Sequence, residues 1–170
     1  MARRSLAAPE ETVPRPIRPP ANWKDVGAIE GFHKESGFRI NPDETGEGVC
    51  VVEGLVERRH LNINGVVHGG VYATILDTAM GGSVVSVLDE GEVTATTSLY
   101  VEFLRPAQAG QRLWAQGRLV RRGRHLAFVE GRLTDGSDKL LSQAHGTWYI
   151  WATAEGTWSG KRSRPSRPAR

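Results

Sequence analysis

The chain has one cysteine, Cys50, among 170 residues. An intrachain disulfide and a cysteine-built zinc cluster are therefore both excluded, and a reducing compartment suits the composition. The neighbours Val49, Val51 and Val52 make Cys50 a small core or strand residue rather than a nucleophile. Long hydrophobic runs are missing too. The most apolar segment, Val71 to Leu88, is interrupted by Asp77 and by glycines, so nothing approaches the length of a membrane span. Met1–Ala8 has early arginines, but only Leu6, Ala7 and Ala8 precede Pro9, Glu10 and Glu11, too little for the apolar core of an export signal. There is no Gly-x-Ser-x-Gly elbow, no phosphate loop and no dinucleotide fingerprint. His33, His60, His68, His125 and His145 show no close ligand spacing, so no metal is expected. The expectation is a cytoplasmic protein without a membrane partner.

The formal charge of +3 and pI near 9.3 suggest a basic protein, but the distribution removes that reading. Residues 1–20 carry net +2 and residues 160–170 net +5, which leaves −4 for everything between. A nucleic-acid partner needs a basic surface on the folded domain, and none is expected here. Residues 1–22 hold five of the nine prolines and no periodic apolar pattern. They read as a flexible Pro/Arg-rich arm, residues 159–170 as a basic flexible tail, and residues 23–158 as a single domain.

Within that domain, Trp23 to Ser36 is a plausible short helix broken by Gly27 and Gly31, and Gly37–Ile40 and Gly48–Arg58 read as strands around a turn at Asn41–Gly46. A long helix is expected from Gly69 to Leu88, apolar nearly all round and so buried on several sides. Four alternating runs follow: Val93–Leu104, Arg112–Arg122, His125–Leu133 and Leu140–Trp151. Strict alternation puts Thr97, Leu99, Val101 and Phe103 on one face of the first run and Thr96, Ser98, Tyr100 and Glu102 on the other. Their connections, Pro106–Gly110, Gly123-Arg124 and Thr134–Asp138, are credible hairpin turns. The plan is α+β, an antiparallel sheet wrapped around one long central helix.

Asp77 is the one ionisable residue of that helix, costly to bury unless it is partnered or has work to do. At helical spacing its neighbours Gly70, Ala73, Thr74 and Gly81 are all small, so it looks out of a groove. The loop before it, Asn62-Ile63-Asn64-Gly65-Val66-Val67-His68-Gly69-Gly70, delivers unpaired N–H groups of Gly69 and Gly70 at the helix start, a site for an anion or a developing oxyanion. Asp77 lies eight residues beyond Gly69, about 12 Å along a helix rising roughly 1.5 Å per residue. One helix cannot bring both groups to one carbonyl. If they cooperate, a second copy must run antiparallel, Asp77 of one chain facing Gly69 of the other.

Asn62-x-x-Gly65-x-x-His68-Gly69-Gly70, then Asp77-Thr78-Ala79, then Val93-Thr94-Ala95-Thr96 leading to Phe103-Leu104-Arg105-Pro106-Ala107 and Gly110, resembles the hotdog-fold acyl-CoA thioesterases of the phenylacetic-acid-degradation type over residues 27–151. The resemblance implies a hotdog fold, hydrolysis of an acyl-CoA carrying an aromatic or medium-chain acyl group, and no cofactor beyond the coenzyme A of the substrate. It implies a homodimer at least, and a homotetramer as a dimer of dimers. It puts Asp77, Gly69, His68 and Asn62 in the catalytic set and Gly70 and Thr96 against the substrate. Ser98 departs from the acid that often stands two residues after the equivalent of Thr96. Arg105, Arg122 and Arg124, at strand ends and turns, are candidates for the coenzyme phosphates.

Other readings of these residues stand beside those roles. Asp77 can be a satisfied carboxylate at an interface, His68 a staple for the loop, and Asn62 and Asn64 turn caps. A hotdog hydratase or dehydratase using a histidine is the alternative enzyme, and a non-catalytic acyl-CoA-binding module the alternative outside catalysis.

Overall fold

The computed structural model describes residues 32–152. The arm over 1–22, Trp23, and the tail over 159–170 lie outside the described residues. The chain runs α1 (Phe32–Ser36), β1 (Arg39–Ile40), β2 (Val49–Leu55), a 3-10 turn (Arg58–His60), α2 (Gly69–Val85), β3 (Glu92–Phe103), β4 (Arg112–Arg122), β5 (Leu126–Asp135) and β6 (Leu140–Ala152). The six strands form one antiparallel sheet in the order β1-β2-β4-β5-β6-β3. The sheet curls around α2, the α+β hotdog plan expected from the sequence.

Small residues at the sheet centre let the helix seat so deeply. A Cβ on Gly117 of β4 would lie 2.3 Å from the Ala79 carbonyl oxygen, and one on Gly131 of β5 would lie 2.7 Å from the Met80 sulfur. The α2 backbone rests directly on β4, and Ala115, Ala127 and Ala144 extend the same trough. Into it α2 turns Tyr72, Ile75, Leu76, Ala79, Met80, Ser83 and Val84, spaced as one helical stripe. Only that stripe is buried within the chain. Ala73, Thr74, Asp77, Thr78 and Gly81 remain half-open, so the chain does not cover the helix on several sides.

Boundaries shift where backbone groups find other partners. The helix stops at Val85 rather than Leu88, because Val87 and Leu88 donate three residues back, to Val84 and Val85 (3.1 and 3.3 Å), and tighten the last turn. Strand β2 ends at Leu55 because Val56 exchanges both backbone bonds with the loop at Gly110 and Gln111. Strand β5 runs on to Asp135, whose carboxylate then holds the turn through Ser137 and Lys139.

The strict alternation read for β3 fails at one point. A bulge falls between Thr96 and Ser98, which face the consecutive residues Trp148 and Thr147 of β6. One extra residue reverses the phase of the strand. Thr96 therefore joins Leu99 and Val101 on the inner face instead of opposing them, and β3, at the sheet edge, presents Thr96 to α2.

Candidate functional site

The loop before α2 is built by its own side chains. Asn62 Oδ1 accepts from the Asn64 N–H at 2.8 Å and, more loosely, from the Val66 N–H at 3.4 Å, while Gly65 turns at φ +75°. His60 is buried. Its carbonyl accepts the His68 N–H at 2.9 Å, and its ring accepts the Glu57 N–H at 2.9 Å and meets the Ser36 carbonyl at 3.0 Å. His60 thus ties α1, the 3-10 turn and the loop together, a bracing role the sequence reading missed.

At the helix start, His68 Nδ1 accepts the Gly70 N–H at 2.9 Å, so the ring is the N-cap of α2. The Gly70 donor is thereby occupied. Among the described residues the Gly69 N–H takes no partner, and Gly69 borders a cleft of about 340 Å³ lined also by Val67, Tyr72, Phe103, Leu104, Arg105 and Pro106. The Phe103 ring packs over Gly69, whose Cβ position is 3.3 Å from it, and stacks on Tyr72 at 6.3 Å. Tyr72 is buried and donates to the Arg105 carbonyl at 3.2 Å; burial pushes its phenol up to about 12, so it stays neutral. One free backbone donor thus stands at the positive end of a 17-residue helix, on a residue that borders an apolar cleft.

Asp77 lies on the half-open stripe of the same helix, where Thr96 Oγ1 donates to its Oδ1 at 2.8 Å. Its Oδ2 has no partner among the described residues. The bulge in β3 makes this contact possible. Asp77 and Thr96 are brought together within one chain; Asp77 and Gly69 stand eight positions apart on one unbroken helix.

The three arginines separate. Arg105 borders the cleft and donates to the Leu140 carbonyl at 2.7 Å. Arg122 is spent elsewhere, in ion pairs with Asp89 at 3.2 Å and with Glu92, so its charge is neutralised and it is not a free phosphate ligand. Arg124 is exposed in the turn between β4 and β5. That turn and Arg105 lie at opposite ends of the sheet, roughly 24 Å apart, counting about 3.4 Å per residue along β6 from Ser142, opposite Phe103, to Tyr149, opposite Leu126. Nothing in the residue pattern announces the acidic partners of Arg122, which come from the α2–β3 connection and the first residue of β3.

A curled antiparallel sheet around one helix, with an open backbone donor at the helix start and a carboxylate two turns on, is the architecture of a hotdog thioester hydrolase. The family described as the thioesterase superfamily matches residues 64–142. A protein of Saccharolobus solfataricus that bears an esterase name is 31% identical over 63% of this chain and 75% of its own length. Human acyl-coenzyme A thioesterase 13 is 26% identical over 61% of this chain and 74% of its own. The structure of the Escherichia coli PaaI protein, from the phenylacetic acid degradation operon, superposes with a TM-score of 0.69 at 23% identity over 76% of this chain and 93% of that one. The chain belongs to the thioesterase superfamily and is an enzyme of the thioester-hydrolase class.

Proposed function

We propose that this enzyme hydrolyses an acyl-CoA thioester with an aromatic or medium-chain acyl group to the free acid and coenzyme A, in the cytoplasm, as a homotetramer of two dimers. One observation carries the reading. Helix α2 holds an unpaired Gly69 N–H at its start and, about 12 Å along, a carboxylate on a stripe of small residues that this chain leaves half-open. A second copy with its helix antiparallel supplies Asp77 to the first copy's Gly69, and two equal sites result.

In such a site the thioester oxygen lies against the Gly69 N–H, where the helix dipole favours the charge that develops. Asp77 of the second chain, oriented by its own Thr96, takes a proton from water as the water oxygen attacks the carbonyl carbon. The tetrahedral intermediate then expels the thiolate as the C–S bond breaks, and the proton passes to sulfur. The same geometry also serves direct attack by the carboxylate, giving an anhydride that water opens. His68 holds the loop through its N-cap bond rather than touching substrate, and Asn62, whose oxygen is taken by the loop, offers its amide N–H groups toward the leaving sulfur. Arg105 is placed for the coenzyme phosphates, and the apolar cleft beside Phe103 and Tyr72 suits the acyl or pantetheine chain.

The hydratase reading requires a histidine as acid or base, and at His68 the Gly70 N–H on Nδ1 leaves Nε2 as the one ring atom for that role. The name of the human relative supports acyl-CoA as substrate. Free-thiol release across a panel of acyl-CoAs tests the proposal. Turnover with aromatic or medium-chain substrates is expected. Tight binding of acyl-CoA without thiol release would make the chain a binding module, and hydration of an enoyl-CoA would make it a hydratase.

A further inference from the structure

On the sheet face turned away from α2, a separate cavity of about 300 Å³ opens. Its walls are two neighbouring cross-strand rows: Val51, Gln116 and Arg132 in one, Trp114 and Thr134 in the next. The inner-face neighbours Cys50, Val52, Ala115 and Leu133 pack toward α2, so this cavity and the Asp77–Gly69 helix lie on opposite sides of the sheet. Val51 is almost fully covered although it points away from the core, and it makes an apolar floor beside the Trp114 ring.

The polar lining is unspent. Arg132, Gln116 and Asp138, all exposed to solvent, and the half-buried Thr134 form no side-chain hydrogen bond or ion pair among the described residues, so a ligand meets no protein partner it must displace. Three carboxylates, Glu44, Asp135 and Asp138, rim it. Asp135 accepts the Ser137 hydroxyl at 2.7 Å and the Ser137 and Lys139 N–H groups at 2.9 and 3.1 Å, all through Oδ1, and these bonds hold its carboxyl below the usual range. Its Oδ2 is left for another partner. Trp114 already takes a cation, with the Arg112 guanidinium 5.9 Å from its ring centre.

We propose that this cavity binds a basic α-amino acid of the arginine or lysine type. One guanidinium against three carboxylates is complemented by a ligand with one negative and two positive groups. The ligand carboxylate pairs with Arg132, where the planar fork offers a bidentate contact. Its α-ammonium meets Asp135 and Asp138, its alkyl stem lies on Val51 and Trp114, and its terminal cation reaches Glu44. A simple anion would be repelled by the rim, and a simple cation would leave Arg132 unpaired. An acyl chain would strand the polar walls.

Calorimetric titration of the full chain with L-arginine, L-lysine, agmatine and glycine tests this. One molecule of L-arginine or L-lysine should bind per chain, at least tenfold more tightly than agmatine, which lacks the carboxylate, or glycine, which lacks the distal cation. Arg132→Ala and Asp138→Asn should each lower the affinity at least tenfold; asparagine suits position 138, where φ is +61°. Asp77→Ala should bind as wild type does, which separates this site from the hydrolase site. Absence of binding by both amino acids at millimolar concentration would overturn the proposal. So would agmatine binding equally well, or unchanged affinity in a folded Arg132→Ala.

Discussion

The Thr96 hydroxyl donates to Asp77 Oδ1 at 2.8 Å, across from the edge strand to the half-open face of the helix. That single bond fixes which carboxylate oxygen is held and which is free. Asp77→Ala should fold and assemble normally while kcat falls about 10² to 10⁴, the range for a positioned acid, base or nucleophile. Wild-type turnover in a purified, folded Asp77→Ala would leave the residue a purely structural role.

Thr96→Val keeps the side-chain shape and removes the donor. A hydrogen bond to a charged group contributes about 1.5–3 kcal/mol, so kcat should fall roughly 10- to 100-fold with KM little changed, and Thr96→Ser should restore most of it. If Thr96→Val instead raised KM alone, the hydroxyl would be a substrate contact and not an orienting group for Asp77.

Much of this arrangement was legible in the sequence, and the illegible parts have definite causes. Period-2 alternation located β3 to β6 within two residues at each end, and the solitary Asp77 among small neighbours marked the open stripe of α2. The face on which Thr96 lies was misread because a bulge at Thr97 leaves no mark in a run of threonines and serines, yet it inverts everything on one side of it. The N–H of Gly70 was counted as free because the backbone pattern of a helix start cannot reveal that the preceding His68 caps it. The ion pairs of Arg122, a candidate for the coenzyme phosphates, are invisible in the residue pattern because its carboxylate partners, Asp89 and Glu92, are some thirty residues away in sequence.

Gly117 supplies a test of how the helix is seated. Its missing Cβ would stand 2.3 Å from the Ala79 carbonyl oxygen and 2.5 Å from the Met80 Cα, both main-chain atoms that cannot rotate away. Overpacking in a well-filled core costs typically about 1–3 kcal/mol, and a backbone clash places Gly117→Ala at or above the top of that range. Urea unfolding should show a lowered midpoint. An unchanged midpoint would mean that α2 can lift from β4 at little cost.

Burial pushes the Cys50 thiol from its ordinary 9.0 up to about 11, outweighing the hydrogen bond with Thr45 that favours the thiolate. Because the folded value is the raised one, the neutral thiol contributes stability in full below pH 9. That contribution is lost as pH climbs from 9 to 11, where the unfolded chain has already released its proton. Two units correspond to about 3 kcal/mol. Melting temperature should therefore fall over that window, and Cys50→Ala should flatten the fall while lowering stability near neutrality. An identical alkaline slope in Cys50→Ala would show that the thiol is not responsible.

The proposed two-chain site makes the sharpest demand, since roughly 12 Å of rigid helix separates Gly69 from Asp77. Gly69→Pro removes the backbone donor, and Asp77→Ala removes the carboxylate, so each homodimer should be inactive. In a heterodimer, Gly69 of the Asp77→Ala chain meets Asp77 of the Gly69→Pro chain, and that site is whole. The other site carries both lesions. Mixing the two purified variants under conditions of subunit exchange should therefore restore thiol release to at most about half of wild type per heterodimer. Exchange followed by mass-tagged subunits, with both variants folded by circular dichroism and no activity returning, would place donor and carboxylate in service of a site within one chain.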